Sequence, residues 1–187
     1  MNQISFSGHY IAPVNILKKT VKENFIPCNA SFVKLDTLNK GDIFALKEID
    51  DEWPNSFADI IYTDAKSFYE KEEQSKFHHF FVLTAQVADF QKIISDKILA
   101  VTEISAFPSS KKIDIEALQV HPQHNYWSQE RNYKRVGSAF LDVIKQVFIG
   151  KEIRLRSLPS ALEFYYINGF HPITKGSHDL QFLNIEL

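Results

Sequence analysis

The chain has 187 residues, 44% hydrophobic and 24% charged, the profile of a one-domain soluble globule and not of a disordered or membrane-embedded chain. Lys and Arg number 21 against 23 Asp and Glu, for a formal charge of −2, which argues against a dedicated nucleic-acid binder. Cys28 stands alone, so an intramolecular disulfide and a cysteine-based zinc site are excluded.

The first residues, Met1-Asn2-Gln3-Ile4-Ser5, lack the basic region and apolar run of a secretory signal, and no apolar stretch approaches bilayer length, so the protein is expected to be cytoplasmic. Pro13 to Asn24 reads as a short helix, with Val14, Leu17 and Val21 on one face and Lys18, Lys19 and Lys22 towards water. Residues 1–29 are therefore expected to form a helical extension packed on a domain of residues 30–187. Ala30 to Leu35 reads as the domain's first strand. A helix follows from Asn39 to Trp53, with Ile43, Leu46 and Ile49 at helical spacing, and a second runs towards Glu73 after Asn55 or Ser56 as its cap.

The middle of the chain is rich in strands: Phe77–Gln86, Lys97–Phe107 and Lys112–His121, with Pro108-Ser109-Ser110-Lys111 as the hairpin connection between the last two. Val87 to Asp96 reads as a hairpin loop with a helical turn. Beyond His121 a long polar loop leads into an apolar helix from Gly137 to Phe148, with Gly150 as its stop. Lys151–Arg156 reads as a strand, and Ser160 with Glu163 as a capping box for a helix ending at Asn168-Gly169. A last hairpin, turning at Lys175-Gly176-Ser177, completes an α/β domain.

Chemistry concentrates between Lys112 and Phe170. A strand runs into His121-Pro122, and the donor-rich loop Asn132-Tyr133-Lys134-Arg135-Val136-Gly137-Ser138 opens directly into a helix. Backbone N–H groups and the positive end of the helix dipole then converge on one spot, an arrangement that holds phosphates. The same unit also occurs with nothing more than solvated basic residues. His121 and His124 lie in this loop without a third ligand, and His78 and His79 point to opposite faces of one strand, so no metal site is expected. Tyr126 and Trp127 either line a pocket or anchor the long loop.

Two blocks in this region resemble the GNAT superfamily of acyl-CoA N-acyltransferases. Glu116-Ala117-Leu118-Gln119-Val120-His121-Pro122 is similar to the family's strand ending in Val-x-Pro, and Ala161-Leu162-Glu163-Phe164-Tyr165-Tyr166-Ile167-Asn168-Gly169-Phe170 to its block around a helical tyrosine. The family's phosphate loop, Arg/Gln-x-x-Gly-x-Gly/Ala, fits imperfectly in two registers. Either Lys134 opens it with Gly137 as first glycine, or Asn132 opens it with Arg135 in the first glycine's place and Gly137 in the second's. The loop Gln123–Arg131 is longer than usual, and Leu158 stands where an Asn is common.

The resemblance implies a mixed, largely antiparallel central sheet, splayed between its fourth and fifth strands counted from Ala30. It further implies that Leu118, Gln119 and Val120 pair with the pantetheine arm of acetyl-CoA, with the N–H near Leu118 polarising the thioester carbonyl. Tyr133, Lys134, Arg135, Val136, Gly137 and Ser138 would hold the pyrophosphate, and Tyr165 would protonate the departing thiolate. The proton of the acceptor ammonium would pass to Glu116 or, second, to Asp114, with Glu103 as a third candidate. Both strand carboxylates could instead bind a cationic substrate or pair with Arg154 or Arg156. The implied reaction is direct acetyl transfer, without metal, to a primary amine of a small molecule or peptide. Nucleic acid and membrane are not expected as partners, and a homodimer is left open. The competing reading is a non-catalytic CoA-binding or protein-interaction member of the same fold.

Overall fold

In a computed structural model the described residues are 8–53, 56–87, 92–125, 128–173 and 181–187. Their strands are β1 His9–Lys19, β2 Phe25–Lys34, β3 His78–Thr84, β4 Ile98–Ala106, β5 Lys112–Val120, β6 Tyr133–Lys134, β7 Glu152–Ser157, β8 His171–Pro172 and β9 Gln181–Glu186. The helices are α1 Lys40–Glu52, α2 Ala58–Glu70, α3 Val136–Val147 and α4 Leu162–Ile167. The strands form one open sheet in the order β6-β1-β2-β3-β4-β5-β7-β9-β8. Every pairing in it is antiparallel except β5 with β7.

The sheet is the middle of three layers. Side chains alternate along a strand, so in β3 Phe80 and Val82 join the core under α1 and α2, while Phe81 and Leu83 join the core under α3 and α4. Phe32 supports the second core, stacked on Phe81 at 5.0 Å and edge-on to Phe140 of α3 at 5.6 Å. Helix α1 keeps the predicted spacing: Ile43, Leu46 and Ile49 are buried, and Asn39 caps it by accepting hydrogen bonds from the N–H groups of Gly41 and Asp42. No helix among the described residues is long and apolar enough to cross a membrane.

The segment read as an N-terminal helix is a β-hairpin. Thr20 N–H donates to Asn24 O, Glu23 turns the chain at φ 64°, and β1 pairs with β2 from His9↔Lys34 to Lys19↔Phe25. The buried residues are Val14 and Ile16, two apart, whereas Val21, assigned to the helix's inner face, is fully exposed. Pro13 is compatible with a strand here because β1 carries only the two-residue β6 on its outer flank, at Leu17 and Lys18. Residues 9–34 are thus the start of the sheet itself.

The capping box expected of Ser160 and Glu163 does not form. Pro159–Ala161 winds as a 3-10 turn, α4 begins only at Leu162, and no side chain caps it. Proline fixes the first turn beyond which the helix starts, so Ser160 lies ahead of the cap position and lines a cleft instead. The C-terminal strand pairs as expected, with His171 opposite Asn184, while the turn proposed at Lys175-Gly176-Ser177 lies outside the described residues.

Candidate active site

The parallel neighbours β5 and β7 pair only from Lys112↔Glu152 to Ile115↔Leu155. Beyond Ile115 no strand flanks β5 on that side among the described residues, although β5 stays paired with β4 as far as Val120. This is the expected splay. Its origin is a register shift: Glu103 of β4 faces Ala117 while Ile104 faces Ile115, so Glu116 is an extra residue in β5. Such a bulge bends the strand and raises its local twist.

A cleft of roughly 870 Å³ opens at the splay. Its walls are Ile115 to Val120 of β5, Arg135 to Ser138 at the start of α3, Leu155 to Leu158 at the end of β7, and Phe164 and Tyr165 of α4. Phe57, Ile60 and Asp64 from the α2 side, His78 of β3 and Glu103 of β4 line it as well.

The expected cofactor residues divide between two places. Leu118, Gln119, Val120, Arg135, Val136, Gly137 and Ser138 line the cleft. Tyr133 and Lys134 do not; they form β6 against Lys18 and Leu17, and the Lys134 ammonium lies 3.8 Å from the centre of the Phe25 ring. The loop is therefore fastened to the first hairpin just before α3 begins. Arg135 then adopts the left-handed conformation, φ 61° and ψ 13°. That backbone favours glycine, and it falls where the register with Gly137 second puts the phosphate loop's first glycine. Gln119 ties the end of β5 to α2: its Oε1 accepts from Phe57 N–H at 3.3 Å, and its Nε2 donates to Val120 O at 2.8 Å.

Tyr165 is only 8% exposed, with its ring edge-on to Phe164 at 5.1 Å and to Phe170 at 5.7 Å. Burial pushes its hydroxyl up to about 12, so it is protonated at neutral pH. Gly169, at φ 86°, ends this element after Asn168, as the sequence predicts.

Asp114 and Glu116 face the arginines of β7, as their spacing suggests. Asp114 accepts from Arg154 Nη2 at 2.7 Å and is not part of the cleft wall. Glu116 lines the cleft, with Arg156 at 4.0 Å. The carboxyl most altered by its surroundings is Glu103, whose side chain is 1% exposed. Burial raises it to about 7, opposed by its hydrogen bond with His78 and reinforced by Asp64. Glu103 Oε1 lies 2.6 Å from His78 Nδ1, while Oε2 is buried without a donor. Sequence reasoning ranked Glu103 third and gave His78 and Asp64 no role. The signal that could have promoted Glu103 is an acid within the apolar run Ile98–Ala106, every residue of which is buried.

Three other histidines pack against aromatic neighbours. His79 lies on the opposite face from His78, beside Phe81, and burial lowers it to about 4. His121 and His124 stack at 4.8 Å, and His121 packs edge-on against Trp53. Tyr126 and Trp127 lie outside the described residues.

No protein-family model matches this sequence, and no curated protein does either. Solved structures match it in shape. The GNAT domain of PAT from S. lividans aligns over 96% of this chain and 97% of its own, with a TM-score of 0.61 at 12% identity. The PaiA N-acetyltransferase of Thermoplasma acidophilum, in complex with coenzyme A, aligns over 86% of this chain and 100% of its own, with a TM-score of 0.57 at 17% identity. The N-acetyltransferase PseH of Campylobacter jejuni, in complex with acetyl coenzyme A, aligns over 83% and 98%, with a TM-score of 0.53 at 15% identity. This chain has the GNAT fold, that of the acyl-CoA N-acyltransferases.

Proposed function

We propose that this chain, built on the acyl-CoA N-acyltransferase fold, moves an acetyl group from acetyl-CoA to a primary amine of a small molecule or peptide. The observation that carries the reading is the splay, which opens the Leu118–Val120 side of β5 onto the same cleft as Tyr165. The pantetheine arm would extend β5 as a short extra strand, and the N–H near Leu118 would donate to the thioester oxygen as it gains charge. The first N–H groups of α3, from Arg135 to Ser138, would take the pyrophosphate with the positive end of the helix dipole behind them.

Attack and departure need no covalent enzyme intermediate. The neutral amine attacks the thioester carbon, the C–N bond forms, the C–S bond breaks, Tyr165 O–H donates its proton to the thiolate, and the proton that the nitrogen sheds as the amide forms restores the tyrosine. Before attack, the ammonium loses a proton to a carboxylate of the cleft wall. Glu116 is the one of the two strand carboxylates with access there, whereas Asp114 is paired with Arg154.

Arg135, in place of a loop glycine, favours a second reading: a non-catalytic member of the fold that binds CoA or a protein partner. One experiment separates them. Acetyl-CoA is titrated into the protein with its thermal unfolding followed, and a panel of amines is then screened by release of free thiol. A rise in Tm with amine-dependent thiol release supports transfer. A rise without release for any amine supports a non-catalytic CoA-binding member, and no rise at millimolar acetyl-CoA removes both CoA-dependent readings and leaves a protein-interaction member of the fold.

A further inference from the structure

The α2 side of the cleft holds a group that the reaction above leaves without a task. Glu103 is almost wholly buried yet lies on the cleft wall, and Oε2 has no donor. A buried carboxylate oxygen without a donor is costly, and the cost falls when a proton shared with the neighbouring Asp64 carboxyl, or an incoming cation, occupies it. The charged groups that meet it come from its neighbours in turn. His78 of β3 binds Oε1, Asp64 of α2 adds negative charge, and β5 sets Ala117 opposite it with Glu116 next along the bulge. Ser105, on its own strand, lies 3.5 Å from His78 Nδ1. Among the described residues, no arginine or lysine is one of the charged groups that act on Glu103, in contrast to Asp114 and Glu116.

Resting on the acetyl-transfer reading, we infer that Glu103, in place of Glu116, binds the acceptor's ammonium group and takes its proton, with His78 as the residue that positions Glu103 and carries the proton out. The R–NH3+ group gives one proton to the Glu103 carboxylate, leaving R–NH2 with a free lone pair and Glu103 as the neutral acid. His78, bonded to Glu103 at Nδ1 and 39% exposed, links that acid to solvent, to which the proton returns. A carboxyl raised to about 7 suits the task, because a base near the working pH is both ionised and basic enough. Asp64 keeps the site negative, so the acceptor class is an amine that is cationic in solution. The wall beside these acids is apolar, formed by Phe57 and Ile60, and accommodates the hydrocarbon next to that nitrogen.

The test uses the intact chain, acetyl-CoA and an amine from the active part of the panel, with kcat/KM followed against pH. Glu103→Gln is expected to lower kcat/KM by about 100-fold or more at neutral pH and to abolish the rising limb at low pH, with acetyl-CoA affinity by calorimetry nearly unchanged. His78→Leu is expected to move the midpoint of that limb to higher pH, because His78 holds Glu103 down. A merely structural role for His78 does not move the midpoint, so this variant decides the matter should Glu103→Gln not fold. Wild-type turnover with an intact limb in Glu103→Gln, or a limb lost in Glu116→Gln alone, or an unmoved midpoint in His78→Leu, overturns the role of Glu103 and leaves acetyl transfer standing. A wild-type chain that binds no acetyl-CoA, or releases thiol with no amine, overturns both.

Discussion

The tip of the Phe164 ring lies 2.9 Å from where a Cβ on Gly137 would stand, and Val120 lies 3.4 Å from it. Glycine here lets α3, α4 and β5 approach one another at the floor of the cleft. Gly137→Val is accordingly expected to displace Phe164, weakening acetyl-CoA binding and lowering Tm together. Gly137→Ala is expected to show the same two effects at smaller size. Calorimetry and thermal unfolding on both variants check this, and an unaltered Tm in Gly137→Val would show that the ring yields freely.

Tyr165→Phe keeps the ring between Phe164 and Phe170 and removes only the hydroxyl. With the hydroxyl raised to about 12, the wild-type group stays protonated throughout the usual assay range and contributes no falling limb there. The expected outcome is a loss of roughly 10²–10⁴-fold in kcat with acetyl-CoA affinity unchanged. A folded variant with full kcat would reduce Tyr165 to a packing residue.

Glu103 also carries a stability signature. Its carboxyl is raised from 4.5 to about 7, so between these values the native state holds more protons than the unfolded one, and stability falls as pH rises through that window. Glu103→Gln removes the ionisation. The variant should gain Tm relative to wild type above pH 7 and gain little below pH 4.5, with each kcal/mol worth roughly 2–4 °C in a domain of this size. Thermal unfolding at both ends of the window measures it. An equal shift at both ends would mean the carboxyl is not raised.

His79 works in the opposite sense. Burial lowers it from 6.5 to about 4, so its contribution to stability is fully present above pH 6.5 and is lost as pH falls through 4. His79→Phe, which keeps a ring beside Phe81, should flatten the acid side of the unfolding profile. Urea unfolding across that range is the check, and identical slopes in variant and wild type would contradict the assignment.

Most of the sheet and helices α1, α2 and α3 were legible in the sequence because their apolar spacing is unambiguous. Ile43, Leu46 and Ile49 in α1 and the doubly buried run of β4 are examples. The first hairpin was not legible because Val14, Leu17 and Val21 mimic a helical face, and only pairing with β2 selects the alternation of Val14 and Ile16. In the site, the residues on β5 and at the start of α3 followed from local motifs. Glu103, His78 and Asp64 come from three separate elements, and no local pattern joins them until β3 and β4 pair and α2 packs across them.

The extra residue in β5 gives this strand something like a reading frame. Ile113 and Ile115 pack towards α3, and so do Leu118 and Val120, although an unbroken alternation starting from Ile113 would turn the second pair the other way. Ala117 packs into the opposite layer and Gln119 reaches α2. Removing Glu116 would join the two frames into one unbroken alternation, leaving Leu118 and Val120 towards α3 and Gln119 towards Phe57, but it would take away the bend and extra twist that carry β5 away from β7. Point substitutions along β5 therefore alter one wall position at a time, whereas loss of this single residue would keep the wall's side chains in place and close the opening they face.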